Sequence, residues 1–354
     1  MRLPVPRHHP ALLPEQLDAL TQKAVLELMR EGESPNTQLS YRSALRYWAA
    51  WYGLRYGRLI TLPLPAPCVL QFIVDHAQRS GEQGLTSELP HEIDLALVAA
   101  GYKGKTGALA LATLVHRIAV LSKAHQAREL KNPCQDPLVR ELLARTRKAY
   151  ARRGALPHKK AALTREPLEA LLATCDHSLR GRRDRALLLF AWSSGGRRRS
   201  EVAHADMAQL RRYGPGEFVY TLAHSKSNQA GTDQPENHKP LVGVAAEALE
   251  AWLQASGVKD GPIFRRIRRG GHLGPGLTPA AVRDIVLARC VLAGVEGDFS
   301  AHSLRSGFVT EAGRQNLPLG ETMALTGHHN VTTVLGYFRA APGAASDKVK
   351  RLLD

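Results

Sequence analysis

At 354 residues, with 44% hydrophobic and 23% charged, the chain carries the apolar mass of two ordinary domains, which excludes disorder as its dominant state. No run approaches the roughly 18 uninterrupted apolar residues of a spanning helix, and Pro4, Pro6 and Pro10 break the opening before a signal-like apolar core forms; a cytoplasmic protein away from membranes is expected. Lys and Arg number 48 against 32 Asp and Glu, a net charge of +16, which points to a polyanionic partner.

The excess is spread along the chain, with 23 basic and 13 acidic residues through Leu163 and 25 and 19 from Thr164 onward. Both halves are therefore expected to face the same polymer. Cys68, Cys134, Cys175 and Cys290 stand far apart with no CxxC pair, so neither disulfide staples nor structural zinc is expected.

From Ser34 a polar start leads into apolar or aromatic positions at Leu39, Leu45, Trp48, Ala49 and Tyr52, the spacing of an amphipathic helix. Further helical patterns run over Pro67–Ser80, Thr106–Ala127 and Asp136–Arg153, and the front region reads as mainly α. The last of these sets Leu142 and Leu143 among Arg140, Arg145, Arg147, Lys148, Arg152 and Arg153. A face of one sign suits contact with phosphates, although a solvated charged face is the plainer account.

The segment RRGALPHKKAAL, from Arg152 to Leu163, has no periodic apolar stripe and reads as a connector. A helix is expected from Thr164, with Leu168, Leu171 and Leu172 on one face, followed by the strongly apolar stretch Ala186–Trp192. Phe218–Leu222 and Pro240–Val244 read as two strands joined by a long polar loop. Thr278 as N-cap and Pro279 at the first helical position then open another helix. An α+β second domain with a small antiparallel sheet follows.

Four places in this second region hold what a phosphate-handling site needs: GGRRRSEV around Arg198, SKS around Lys226, HSLRSG from His302 to Gly307, and TGHHNVTTVLGYFR from Thr326 to Arg339. Three residues apart on a helix, His302 and Arg305 project from one face. Singly each is weak, since Lys226 reads equally as a loop lysine and Tyr337 as a core aromatic.

Together, in this order and spacing, they resemble the tyrosine recombinase (phage integrase) family. The family's Arg, small residue and Glu match Arg198, Ser200 and Glu201; its hairpin lysine matches Lys226; its His-x-x-Arg matches His302 and Arg305; its Gly-His matches Gly327 and His328; its nucleophile, nine residues on, matches Tyr337. Arg197 and Arg199 flank Arg198 where the family has apolar residues, Lys239 competes with Lys226, and His329 adjoins His328.

The resemblance covers the chain from about Ser34. It implies an N-terminal arm over 1–33, a helical core-binding domain over 34–150, a linker over 151–163, a catalytic domain over 164–340 and a tail helix over 341–354. The two domains of such proteins close on duplex DNA as a clamp. Val349, Leu352 and Leu353 share one face of that tail, which in similar proteins docks on a neighbouring protomer. A homotetramer on paired recombination sites is therefore implied, with an accessory directionality factor as a further partner.

The residue types suit phosphodiester chemistry. Arginine forks pair with phosphate oxygens and stay charged, so Arg198 and Arg305 are assigned to the charge that grows in the transition state. His302 is assigned the proton of Tyr337, Lys226 the proton for the departing 5′ oxygen, His328 a hydrogen bond to phosphate, and Glu201 the orientation of its neighbours. A 3′-phosphotyrosyl link conserves the bond for rejoining, so no cofactor and no metal are expected. The rival readings are a type IB topoisomerase or hairpin-forming resolvase, and a catalytically silent DNA-binding accessory protein.

Overall fold

The computed structural model describes residues 23–24, 27–28, 31–81, 84–155, 160–222 and 235–338. Most of the expected arm, Lys226 and the tail with Val349, Leu352 and Leu353 lie outside them. The chain divides into two compact units, Met1–Pro157 and His158–Asp354.

The first unit is built on α1 (Pro35–Tyr56). Ser34 caps it, its Oγ accepting from the backbone N–H of Thr37 at 3.2 Å, and Gly57 ends it in the left-handed region at φ 68°, where a glycine costs nothing. Its inward face carries Tyr47, Trp48, Trp51 and Tyr52 against α2 (Ala66–His76). Trp48 stacks on Phe72 with ring centroids 3.6 Å apart, and Trp51 meets the same ring edge-on at 5.0 Å. The indole N–H groups donate to the Arg117 carbonyl and to Asp75 Oδ2, each at 2.9 Å. Both indoles therefore enter the core with their N–H groups paired, which keeps the several kcal/mol of apolar burial intact.

Two expectations for this unit shift. The helix foreseen to Ser80 stops at His76, because Ala77 turns extended and the Gln78 backbone N–H is taken by the Tyr150 hydroxyl at 2.6 Å. A short hairpin, β1 (Arg79–Gly81) with β2 (Gly84–Thr86), replaces its last turn. After α3 (His91–Ala99), α4 spans Leu111–Gln126 rather than starting at Thr106. The buried Asp94 holds the intervening loop through Lys103 and through the Gly107 N–H, the latter at 2.6 Å.

Helix α5 (Pro137–Arg152) begins at Asp136, whose Oδ1 accepts from Leu138 N–H at 2.9 Å. Val139 and Tyr150 are buried on one side, while Arg140, Arg145, Arg147, Lys148 and Arg152 are exposed. Arg145 pairs with Glu141 one turn back at 2.6 Å. Arg153 stands apart from that set: its guanidinium lies over the Tyr150 ring and donates to the Gln78 carbonyl at 3.0 Å.

The second unit opens with α6 (Arg165–Ala173) and centres on α7 (Leu179–Ser193). Ala186 through Ala191 are all buried, which is why that stretch is apolar all round instead of striped. Trp252 of α9 (Val244–Ser256) packs in the same core, its N–H on the Ile263 carbonyl at 2.9 Å. The sheet is three-stranded and antiparallel, β3 (Leu210–Gly214), β4 (Glu217–Thr221) and β5 (His238–Val242) in that order. Strand β5 starts two residues before the expected Pro240 and ends at Val242, ahead of Gly243, whose φ is 56°.

Alternation along β5 turns Lys239 and Leu241 inward and His238, Pro240 and Val242 outward. A second hairpin, β6 (Arg265–Ile267) with β7 (Leu273–Gly276), precedes α10 (Pro279–Leu292), which Thr278 caps with Pro279 at its first position. The chain continues through α11 (His302–Arg314), α12 (Leu319–Thr326) and α13 (Val331–Phe338). Among the described residues, no helix is long and apolar enough to cross a membrane.

Candidate active site

Helix α11 passes so close to the extended chain before α6 that a Cβ at Gly307 would overlap the Leu163 carbonyl. The Leu163 N–H also donates to the Ser303 carbonyl at 2.9 Å. This seating leaves His302 exposed at the first turn of α11 and turns Arg305 inward. The far end of α7 is drawn to the same place by two glycines in the left-handed region, Gly195 at φ 95° and Gly196 at φ 68°. A Cβ on Gly196 would stand 2.5 Å from the Cα of Arg305, and one on Gly195 would overlap the Leu325 carbonyl.

Tyr337 arrives on α13, anchored by the fully buried Val334. Its hydroxyl lies 3.1 Å from His302 Nε2, a hydrogen-bond distance. The rings of His302 and His328 both stand with centroids 6.4 Å from that of Tyr337. Partial desolvation and the charges of Arg305 and Arg198 hold His302 below its ordinary pKa. The same causes push His328 down to about 4. Both rings are thus neutral at physiological pH.

Arg305 is 2% exposed and donates to the Gly196 carbonyl at 3.1 Å and to the Thr326 carbonyl at 2.6 Å. Burial, then Arg198 and Arg197, lower its pKa to about 9, which still leaves it cationic at neutral pH. Arg198 sits at the start of α8 (Arg199–Ala203) and keeps a 29% exposed side chain. Glu201 holds it twice: Oε1 takes its Nη1–H at 2.6 Å and Oε2 takes its backbone N–H at 3.0 Å. Burial opposes ionisation of Glu201, but Arg197 and Arg198 outweigh it and keep the carboxyl below its usual range.

Among the three neighbouring arginines, position separates the roles. Arg199 is exposed, and Arg197 is buried with its Nη2 on the Leu325 carbonyl at 2.6 Å. Arg198 alone of them is partly open while its charge reaches His302, Arg305 and His328. His329 adjoins the site, but it is His328 whose Nδ1 stands 2.8 Å from Thr326 Oγ1.

Sequence reasoning named Lys239 only as a competitor of Lys226. It is 2% exposed, its ammonium lies on the carbonyls of Glu236 and, at 2.8 Å, Ala324, and burial with Arg197 and Arg305 lowers its pKa to about 7. Its inward placement was open to reading from the two-residue period that it shares with Leu241. Residues far apart in sequence thus meet: Arg197 and Arg198, Lys239, His302 and Arg305, and His328 and Tyr337.

Known proteins resemble this chain. Residues 161–343 match the phage integrase family. The chain is 31% identical over 234 residues to the integrase/recombinase xerD homolog of Selenomonas ruminantium, covering 64% of this chain and 67% of that protein. Over 373 residues it is 23% identical to the recombinase cre of Escherichia phage P1, covering 99% and 98% of the two. In fold it resembles a lambda integrase dimer bound to a COC′ core site, with a TM-score of 0.55 at 16% identity over 91% of this chain and 95% of that one. The Tn1549 transposon integrase in complex with transposon right end DNA gives a TM-score of 0.56 at 13% identity over 94% and 98%.

The chain belongs to the phage integrase family. It is a tyrosine-type site-specific recombinase, an enzyme that acts on DNA.

Proposed function

We propose that the Tyr337 oxygen is the attacking atom, and the observation that carries this reading is the 3.1 Å approach of its hydroxyl to the neutral His302 beside Arg305. As the O–P bond forms, the phenol proton passes to His302 Nε2 and the bond to the 5′ oxygen breaks. Lys226 supplies that oxygen's proton, so the products are a 3′-phosphotyrosine and a 5′ hydroxyl. Charge accumulating on the non-bridging oxygens is met by Arg198 and Arg305, whose guanidinium groups are fixed before the reaction by Glu201 and by backbone carbonyls.

His328 has a more particular requirement. The Thr326 hydroxyl gives its hydrogen to the Thr322 carbonyl at 2.7 Å, so the proton between Thr326 and His328 belongs to Nδ1. Nε2 of the neutral ring is then an acceptor. It donates to phosphate only as the imidazolium, and an arriving anion raises the pKa in that direction.

The exposed basic residues of α5 are assigned to the DNA backbone, and Arg153, committed to Gln78 and Tyr150, chiefly to holding that helix. Assembly as a tetramer on paired recombination sites through residues 341–354, work in the cytoplasm and help from a directionality factor complete the reading. The apolar spacing of Val349, Leu352 and Leu353 supports the first of these.

The test is Tyr337→Phe on a nicked suicide duplex whose arms have been selected from a random pool by binding to the full chain. The variant is expected to bind with unchanged affinity and form no covalent adduct. An adduct formed by the variant contradicts the assignment.

A further inference from the structure

Helix α12 ends with backbone carbonyls that have no partner within the helix, at the negative end of its dipole. Three cations from three separate elements meet them one by one. Lys239 of β5 takes the Ala324 carbonyl at 2.8 Å, Arg197 of the α7–α8 turn takes that of Leu325 at 2.6 Å, and Arg305 of α11 takes that of Thr326 at 2.6 Å. Each of the three side chains is 2% exposed.

What hangs from this end is the catalytic turn. Gly327, at φ 67°, donates to the Met323 carbonyl at 2.8 Å, and the His328 N–H shares that acceptor at 3.2 Å. The His328 ring is held by Thr326 Oγ1 at 2.8 Å. The position and tilt of His328 therefore depend on where the last turn of α12 lies.

Burying three cations together is costly, and the fold could fill positions 197 and 239 with apolar side chains at lower cost. Glu201 offsets part of the charge, 3.7 Å from Arg197. Arg305 has a task toward the substrate, whereas Arg197 and Lys239 are spent on carbonyls. We propose that Arg197 and Lys239 are positioning residues for strand cleavage, pinning the carbonyls of Leu325 and Ala324 so that His328 is held in register with Tyr337 and Arg305. This rests on the assignment of Tyr337 and His328 made above.

The test compares Arg197→Leu and Lys239→Met with the wild-type chain, each with His328 intact and as His328→Gln, by single-turnover cleavage of the selected suicide duplex and by binding to it. With His328 intact, cleavage is expected to slow by about 10- to 100-fold while affinity stays within about threefold, the signature of a misplaced group. In the His328→Gln background the further loss is expected to shrink to within about threefold, because residues acting through one group are not additive. Cleavage at the wild-type rate, or an equal loss in both backgrounds, overturns the proposal.

Should either variant fail to fold, Arg197→Lys and Lys239→Arg decide. Slower cleavage that depends on His328, with binding kept, upholds the proposal; wild-type cleavage, or failure to fold again, overturns it. A wild-type chain that binds and does not cleave refutes the assignment of Tyr337 instead.

Discussion

A histidine that takes a proton from a phenol has to be neutral beforehand, and His302 meets that condition because partial burial disfavours its charged form and Arg305 and Arg198 oppose a further positive charge beside them. The direction sets a pH dependence. A general base loses activity as the pH falls through its pKa, and this one lies below the ordinary 6.5 of the imidazole. In a His328→Gln background, which removes the other ring whose charge would change, cleavage measured at sub-saturating DNA, which reports the free enzyme, is expected to hold level from pH 8 down to about 6.5 and to fall only below that. An acid limb centred above 6.5 contradicts the role given to His302.

The grouping of these side chains was legible residue by residue, because His302 and Arg305, Gly327 and His328, and the nine-residue step to Tyr337 are local spacings. The tasks of Arg197 and Lys239 were not. Their partners are the backbone carbonyls of Leu325, 128 positions away, and Ala324, 85 away, and a carbonyl leaves no mark in side-chain identity.

At the level of elements, the site exists because the end of α7, the start of α11 and the end of α12 approach more closely than side chains ordinarily permit. Gly195 and Gly196 make that possible, both in the left-handed region and both against the backbone of a neighbouring helix. Gly196→Ala is expected to destabilise the second unit by at least about 2 kcal/mol in urea unfolding, since left-handed strain and a 2.5 Å approach to the Arg305 Cα are imposed together. A change within about 0.5 kcal/mol, the range of ordinary surface substitutions, contradicts this account of the packing.

Elements with strong local signals were legible: α1 behind Ser34, α5 behind Asp136, α10 behind Thr278, and β4 and β5 as alternating strands. The short hairpins were not. Neither Arg79–Gly81 with Gly84–Thr86 nor Leu273–Gly276 carries an apolar alternation, so pairing and tertiary context create these strands. The early end of α2 has a similar origin, in a hydroxyl supplied by Tyr150 from a distant helix.

For the whole molecule, a charge of +16 spread over both halves anticipated a partner with many phosphates, and membership of the phage integrase family gives that charge its purpose. Along the chain, the boundary between the two compact units falls between Pro157 and His158, inside the segment that has no apolar period of its own. Within the second unit, Arg197, Arg198 and Arg305 outnumber the Glu201 carboxylate beside them, an excess of positive charge that suits the anion a phosphodiester brings.

The most direct test of the central claim is to trap the reaction on the selected suicide duplex, digest the protein and sequence the peptide joined to DNA. The account predicts a single linkage, from the 3′ phosphate to Tyr337, with a free 5′ hydroxyl on the released strand. A linkage to any other residue, or to a 5′ phosphate, contradicts it.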